Sequence, residues 1–592
     1  MKPTDAPLPE WLAYRAHLTP AVPALLTLVE GKWLPLTWAE LLDASQSLAT
    51  RLRNFGVDSG KRVAIIAGTC PRWEIAQMAI LSAGGVVVGL DPHDPPNRIG
   101  QILEQSEPIG VFVHNEAAFA AIPSGFRNRL QFAISFSDSV SDPALTHWPS
   151  RSGGTAKGES ANFCSSPDAP ATIVFTSGTT GTPKGVIYTH RQITLACESI
   201  LKALPEIDES SRLACWMPLS NLYQRIMNHC AMIKGASSYF VEDAREILRL
   251  LPAIRPRVFT AVPRFYEKVY EGFNRSIDGK SPLQRRAIRM ALKISDRVQT
   301  SRRLGIAPKL ANRLLLSWLD RRFLAPFRQQ FGNDLAFLIS GSAPMPRWLL
   351  ERFHAHGLLV MEAYGMTENV IPNAINRPEA FRFGSVGHPL LHNEVRLADD
   401  GELLVRGPGV FKGYYRDEGR PVNLDEQGFL ASGDYAEIDS EGYIWLKGRK
   451  SEIFKTSTGR RIAPHGIESQ LLTLSYVDHA VVFGRNQKTL VALLVISKDA
   501  LARRSDRAVS EGFDAGIRAD LAAALKKLPD YQRPNGFLIS AEPFSVASGE
   551  LTPNLKLRRT VIEARFAEQF KALYSGLQEA KKGDLAVQWL QR

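Results

Sequence analysis

Cysteine is scarce in this chain. Its five cysteines among 592 residues (Cys70, Cys164, Cys197, Cys215 and Cys230) are scattered without a CxxC pair or metal-ligand spacing. That excludes a disulfide framework, argues against structural zinc, and suits a reducing compartment. Long apolar runs are missing as well. The longest, IAQMAILSAGGVVVGL at 75–90, is cut by Gly84-Gly85 into a helix-like and a strand-like half. It is too short and too broken to span a bilayer. The opening MKPTDAPLPEW has no basic region followed by an apolar one, so it reads as no signal peptide. What remains is 44% hydrophobic and 22% charged residues, ordinary for a soluble globular protein, in a chain long enough for two or more domains.

Acidic residues are nearly absent from one segment. Between Asn274 and Gln330 fourteen Lys or Arg face only Asp278, Asp296 and Asp320, an excess of eleven that accounts for almost all of the chain's net +12. Ile288, Ala291 and Leu292, then Leu314, Leu315, Trp318 and Leu319, fall at three-to-four spacing, which predicts amphipathic helices with one apolar and one basic face. A solvated helical insertion, contact with an anionic membrane surface, and nucleic-acid binding all fit such a segment.

Residues 172–190, TIVFTSGTTGTPKGVIYTH, hold a run of hydroxyls and glycines between two strand-like stretches, Ile173-Val174-Phe175 and Val186-Ile187-Tyr188. A loop anchored at both ends by β-branched and aromatic residues is no flexible linker. The backbone at Gly178 and Gly181, the hydroxyls of Thr176, Ser177, Thr179 and Thr180, and the cation of Lys184 form a cradle suited to a polyphosphate. It is not the GxxxxGK[ST] phosphate loop, because Lys184 is followed by Gly185 and a strand rather than by a hydroxyl at a helix mouth.

Strand-like runs at 63–66, 86–88, 111–113, 173–175, 258–260 and 337–339 alternate with helix-like ones, so the fold class is α/β with mostly parallel strands. The Ser/Gly-rich stretch at 150–170 separates the first such unit from the hydroxyl-rich loop. From about Gly384 short strands and turns predict a small β subdomain, and after Arg449 a compact α+β segment follows.

TSGTTGTPKG at 176–185, YGMTE at 364–368, SGD at 432–434 with GYIWLKGR at 442–449, and LTPNLKLRR at 551–559 resemble, in order and spacing, the adenylate-forming superfamily of acyl-CoA synthetases, luciferases and peptide-synthetase adenylation domains. The resemblance covers roughly residues 30–570. RPRVFTAVPRFYEKVY at 255–270 and FLISGSAP at 337–344 look like the long-chain fatty acyl-CoA ligase branch. It implies a large N-terminal adenylation domain, 1–450, with the basic insertion at about 274–330, and a smaller mobile α+β C-terminal domain, 451–592.

It also implies roles. Lys556 matches the family's mobile lysine, which bridges substrate carboxylate and α-phosphate. Glu368 matches the magnesium-associated carboxylate, with Thr176 as a second metal-side group, and Thr367 the α-phosphate contact. Tyr364, beside Gly365, matches the aromatic ring that stacks on adenine, whose other face Gly341, Ser342, Ala343 and Pro344 would line. Asp434 matches the carboxylate that accepts both ribose hydroxyls, and Arg449 the arginine near ribose and phosphate. Two positions depart from the pattern: Asn221 in MPLSNLYQR stands where a ring is usual, and Ser451 stands at the hinge where Asp or Lys is usual.

The expected activity is ATP- and Mg²⁺-dependent activation of a medium- or long-chain fatty acid to acyl-AMP, then transfer to coenzyme A. The expected setting is cytoplasmic, peripheral on the inner face of a membrane through 274–330, without nucleic acid. Other fates of the adenylate stay open: carrier-protein loading, closure of a β-hydroxy acid to a β-lactone, or luciferase-like oxygenation. The ending Trp589-Leu590-Gln591-Arg592 is no peroxisomal SKL address and weighs against the last. A non-catalytic lipid-binding protein is the rival from another class.

Overall fold

The computed structural model describes residues 5–149, 166–176, 183–303, 306–417, 422, 424–474, 476–497, 501, 507–545, 548–551, 557–579 and 585–590. The chain divides into two compact units. The first is Met1–Arg396, Leu404–Leu430 and Ser440–Ile444; the second is Leu397–Leu403, Ala431–Asp439 and Trp445–Arg592.

The first unit is built on sheets of the kind the apolar runs predict. One has six strands, in the order Phe132–Ser135, Gly110–Val113, Arg62–Ile66, Val86–Leu90, Pro170–Thr176 and Lys184–Thr189. All neighbours run parallel except the last pair. Val63, Ala64, Ile65 and Ile66 are all fully buried, as expected where helices cover both faces of a parallel sheet. The run at 75–90 breaks where its glycines stand. Helix Pro71–Ser82 ends before Gly84, whose φ of 90° is left-handed, and Gly85 N donates to the Ile80 carbonyl before strand Val86–Leu90 begins. Gly84 thus supplies the left-handed turn that commonly ends helices.

A second sheet runs Val258–Ala261, Phe337–Ser340, Val360–Met366, Asn369–Ile375 and His388–Pro389. Its first three strands are parallel and the rest antiparallel. The basic segment between its first two strands is helical: Pro263–Asp278, Pro282–Arg303 and Leu310–Leu319. Here the structure departs from the expected single apolar face. Ile288, Ala291 and Leu319 are buried, but Leu314, Leu315 and Trp318 stand exposed. Helix Leu310–Leu319 is apolar on most of its circumference and docks through Leu316 and Leu319. Its remaining apolar side therefore faces outward.

The second unit centres on a four-stranded sheet, Val477–Phe483, Leu490–Ile496, Pro534–Ser540 and Ala586–Trp589. Leu490 to Ile496 are all buried. Helix Pro464–Leu471 contributes Glu468, whose Oε1 accepts from Val482 N at 2.8 Å. Arg559, at the start of helix Arg559–Arg565, donates to both Glu468 oxygens at 2.7 and 3.1 Å and to the Val482 carbonyl at 3.0 Å. This forked pair fixes the chain just past the LTPNLK stretch. Both side chains are largely buried, so removing one strands the other. Glu468→Ala is expected to destabilise the second unit by about 3–5 kcal/mol, read as a shift of its urea transition in the full-length protein.

Candidate active site

Strand pairing assembles one cluster in the first unit. Thr176 ends one strand of an antiparallel pair and Lys184 begins the next, directly opposite; the Thr176 hydroxyl lies 3.5 Å from the Lys184 carbonyl oxygen. The outer edge of the Lys184 strand takes up a distant segment. Val186 bridges Tyr414 antiparallel, and Tyr415 N donates to the Gly185 carbonyl at 2.8 Å. Thr189 caps helix His190–Ala203 in a capping box with Gln192, whose amide then donates to the Pro408 and Val410 carbonyls at 3.0 and 3.2 Å. The 408–415 segment is thereby held along its length.

Its other side meets the hairpin that carries YGMTE. Strands Val360–Met366 and Asn369–Ile375 pair with Met366 opposite Asn369, so Thr367 and Glu368 are the turn. Phe411 N donates to the Glu368 carbonyl at 2.9 Å, Val370 N to the Gly409 carbonyl at 3.0 Å, and Asn369 bridges Val410. A Cβ on Gly409 would lie 2.4 Å from Asn369 Oδ1, so only glycine allows this approach.

Three side chains meet as a result. The Tyr414 hydroxyl donates to Glu368 Oε1 at 3.0 Å, and Lys184 Nζ sits 5.0 Å from the centre of the Tyr414 ring, a cation–π distance. From the sheet side, the Tyr188 hydroxyl donates to the Thr367 carbonyl. Burial first, then the nearby Glu368 and Tyr414, raise the Tyr188 phenol well above its usual range, so it stays a donor. Tyr188 and Tyr414 escape the sequence reading. The available signal was the tandem Tyr414-Tyr415 in a turn between Lys412 and Arg416.

Gly341, Ser342, Ala343 and Pro344 follow strand Phe337–Ser340, next to the strand that holds Tyr364 and Gly365. Gly341 N donates to the Ala261 carbonyl at 3.2 Å, and Ser342 has a left-handed φ of 70°, strain of about 1–3 kcal/mol for a residue with a Cβ. Ser342, Ala343 and Pro344 are exposed, while Tyr364 is mostly buried. Asn221 caps helix Leu222–Lys234, its Oδ1 accepting from Tyr223 N at 3.1 Å. Asparagine is among the best residues for this cap.

In the second unit Arg449 Nε lies 3.0 Å from Oδ1 of the buried Asp434. Lys450 Nζ follows, 2.8 Å from Asp400 Oδ2 and 2.6 Å from Glu402 Oε2. Ser451 lies in the turn closed by donation from Glu452 N and Ile453 N to the Arg449 carbonyl. Ser177, Gly178, Thr179, Thr180, Gly181 and Lys556 lie outside the described residues.

Mg²⁺ takes six oxygen ligands in near-octahedral geometry. Glu368, its Oε1 held by the Tyr414 hydroxyl, offers one hard oxygen donor, which would leave the remaining ligands to phosphate and water; among the described residues no group of three or more His, Cys, Asp and Glu is gathered. The donor set fits a metal–polyphosphate ion.

Glu362, two residues before Tyr364, also escapes the sequence reading. Its oxygens accept from Met345 N at 3.3 Å and Gly384 N at 3.1 Å, tying the end of the 341–344 segment to the strand. Burial pushes its carboxyl up to about 7, against these two donors that favour the anion. A carboxyl raised from 4.5 to about 7 on folding binds its proton more tightly when folded. Its stabilising contribution is present below pH 4.5 and lost as pH rises to about 7, by an amount on the order of 3 kcal/mol. The wild type should therefore lose stability relative to Glu362→Gln as pH rises across that window; a wild type that gains stability relative to the variant would contradict it.

The chain matches the family model for AMP-binding enzymes over residues 12–415, and that for the AMP-binding enzyme C-terminal domain over 452–578. It is 30% identical to the long-chain-fatty-acid–CoA ligase FadD15 of Mycobacterium bovis, covering 93% of this chain and 94% of that protein. It is 27% identical to the peroxisomal long chain acyl-CoA synthetase 7 of Arabidopsis thaliana, covering 93% and 82%. Among solved structures, the adenylation domain of a carboxylate reductase from Mycobacterium chelonae aligns with a TM-score of 0.77 at 21% identity, over 97% of this chain and 92% of that one.

Proposed function

The chain belongs to the AMP-binding enzyme family, and from that membership and the cluster around Tyr414 we infer that it joins a medium- or long-chain fatty acid to coenzyme A in two steps. A carboxylate oxygen attacks the α-phosphorus of ATP, forming acyl-AMP and releasing pyrophosphate. The coenzyme A thiol then loses its proton, its sulfur bonds to the acyl carbon, and AMP leaves. The convergence of Lys184, Tyr414 and Glu368 carries this reading. The pairing of Lys184 with Thr176 and the contact of Tyr414 with Glu368 support it, because charge building on phosphate calls for a cation and a metal-associated carboxylate.

Glu368, with Thr176, would hold Mg²⁺, which neutralises phosphate charge when bound. Tyr414 fixes the rotamer of Glu368, Lys184 faces the phosphates, and Thr367 contacts the α-phosphate. Tyr364 stacks on adenine opposite Gly341, Ser342, Ala343 and Pro344, and Asp434 with Arg449 takes the ribose. We assign Lys556 the bridge between carboxylate and α-phosphate. The flanks of its segment are fixed: Leu551 bridges Leu557, and Arg558 N donates to the Glu550 carbonyl at 2.7 Å. We take 1–450 and 451–592 as the two domains that alternate about Ser451; the family matches end at 415 and resume at 452, while the compact units give Leu397–Leu403, Ala431–Asp439 and the residues from Trp445 onward to the second. We place the protein in the cytoplasm, with 274–330 toward an anionic membrane surface. No helix among the described residues is long and apolar enough to cross a membrane.

ATP–pyrophosphate exchange across a panel of carboxylic acids tests the reading, with products analysed with and without coenzyme A. Fatty acids should drive exchange and acyl-CoA should form only with the thiol; a lactone, or no exchange with any acid, would overturn it. Glu368→Gln should slow exchange about a hundredfold or more without unfolding the protein. Lys556→Ala should lose acyl-AMP formation by a similar factor yet convert supplied acyl-AMP and coenzyme A near the wild-type rate. Equal loss in both halves would refute its assigned role.

A further inference from the structure

Helix Leu310–Leu319 has an apolar side that the described residues leave largely uncovered, Trp318 meeting the ring of Phe323 edge-on. Leu310, Leu314 and Trp318 recur at intervals of four and are 68%, 67% and 65% exposed, with Leu315 beside them. They lie on one side of the helix, away from the buried Leu319 that packs with Ala291, Ile294 and Val298. Exposure of one leucine means little, but a continuous row of large apolar groups marks an interaction surface.

The surroundings say what kind of surface. Arg313, Arg321 and Arg322 are exposed on the same stretch, and Arg286, Arg289 and Lys293 on the neighbouring helix. Of the three acids in the segment, Asp320 is already paired, with Arg328 Nη1 2.7 Å from its Oδ1. The partner must therefore supply both negative charge and a greasy layer. A nucleic acid offers phosphates but nothing to bury a leucine row. A second copy of this chain would bring the same excess positive charge against itself. An anionic bilayer supplies both at adjacent depths, headgroup phosphates for the arginines and acyl chains for the leucines.

We propose that helix Leu310–Leu319 lies in the surface of an anionic membrane, with Leu310, Leu314 and Trp318 sunk among the acyl chains and the flanking arginines at the headgroups. This deepens, and rests on, the reading of 274–330 as the membrane-facing segment. Helix Leu310–Leu319 is about 15 Å long, and the helical turns that continue it, Asp320–Leu324 and Ala325–Gln329, carry Arg321, Arg322 and Arg328, so it suits a membrane surface rather than a span. Trp318 suits the boundary, since indole combines an apolar body with a polar N–H.

Flotation of the full-length protein with vesicles of phosphatidylcholine alone, or mixed with phosphatidylglycerol, tests this. The double variant Leu314→Ser/Trp318→Ser is set against Arg321→Gln/Arg322→Gln. Binding to the mixed vesicles is expected, with a part that survives high salt. The serine variant should lose that part and bind at least about tenfold more weakly, while making acyl-AMP from dispersed acid at the wild-type rate. Fluorescence on vesicle addition should shift to the blue in the wild type and not in Trp318→Phe. Binding that salt abolishes and the serine variant retains would overturn the insertion while leaving the reading of the basic segment intact. No binding to either vesicle would overturn both. Self-association lost in the serine variant, or RNA binding lost in the glutamine variant, would assign the surface to another partner and overturn the proposal.

Discussion

The candidate catalytic cluster in the first unit depends on the backbone bonds that grip residues 408–415 from two sides. On one side are the Lys184 strand and Gln192; on the other is the Thr367–Glu368 hairpin. Backbone groups shielded from water need partners, and these bonds supply them in this register. The side chains inherit their positions from it. One residue of slip would turn Tyr414 to the opposite face and separate Glu368 from the ring that neighbours Lys184. Gly409 is the steric condition for the whole arrangement, because the space its Cβ would need is filled by Asn369.

The second unit handles the same problem with charge. Arg559 and Glu468 hold the end of the stretch containing Lys556 through two parallel bonds in a largely buried setting. Beside Ser451, Lys450 is bound to two carboxylates, one of which also accepts from Gly433 N at 2.9 Å. Asp434 and Arg449 form a pair of their own.

The sequence was legible where physics is local. Continuous apolar runs announced parallel strands buried on both faces, Gly84-Gly85 marked the break between helix and strand, and the motif residues Thr176, Lys184, Thr367 and Glu368 fell at strand ends and turns. It was opaque where position depends on distant pairing. Nothing near Tyr414 reveals that it bridges Val186, and nothing near Glu362 reveals that Met345 N and Gly384 N will find it in a buried site. Periodicity misjudged Leu314, Leu315 and Trp318 for a related reason: an apolar row predicts a partner, and among the described residues the helix docks through Leu316 and Leu319 and leaves that row largely exposed. Asn221, unusual against the family pattern, became intelligible only as a helix cap.

The central claim is that the carboxylate oxygen of the fatty acid attacks the α-phosphorus of ATP. Acid carrying heavy oxygen in its carboxylate, turned over with ATP, Mg²⁺ and coenzyme A, tests this directly by mass spectrometry of the nucleotide product. Because the bridging oxygen stays with phosphorus when the thiol takes the acyl group, the account predicts AMP with a single heavy oxygen and unlabelled pyrophosphate. Label in pyrophosphate or orthophosphate, or AMP without label while acyl-CoA accumulates, would contradict it.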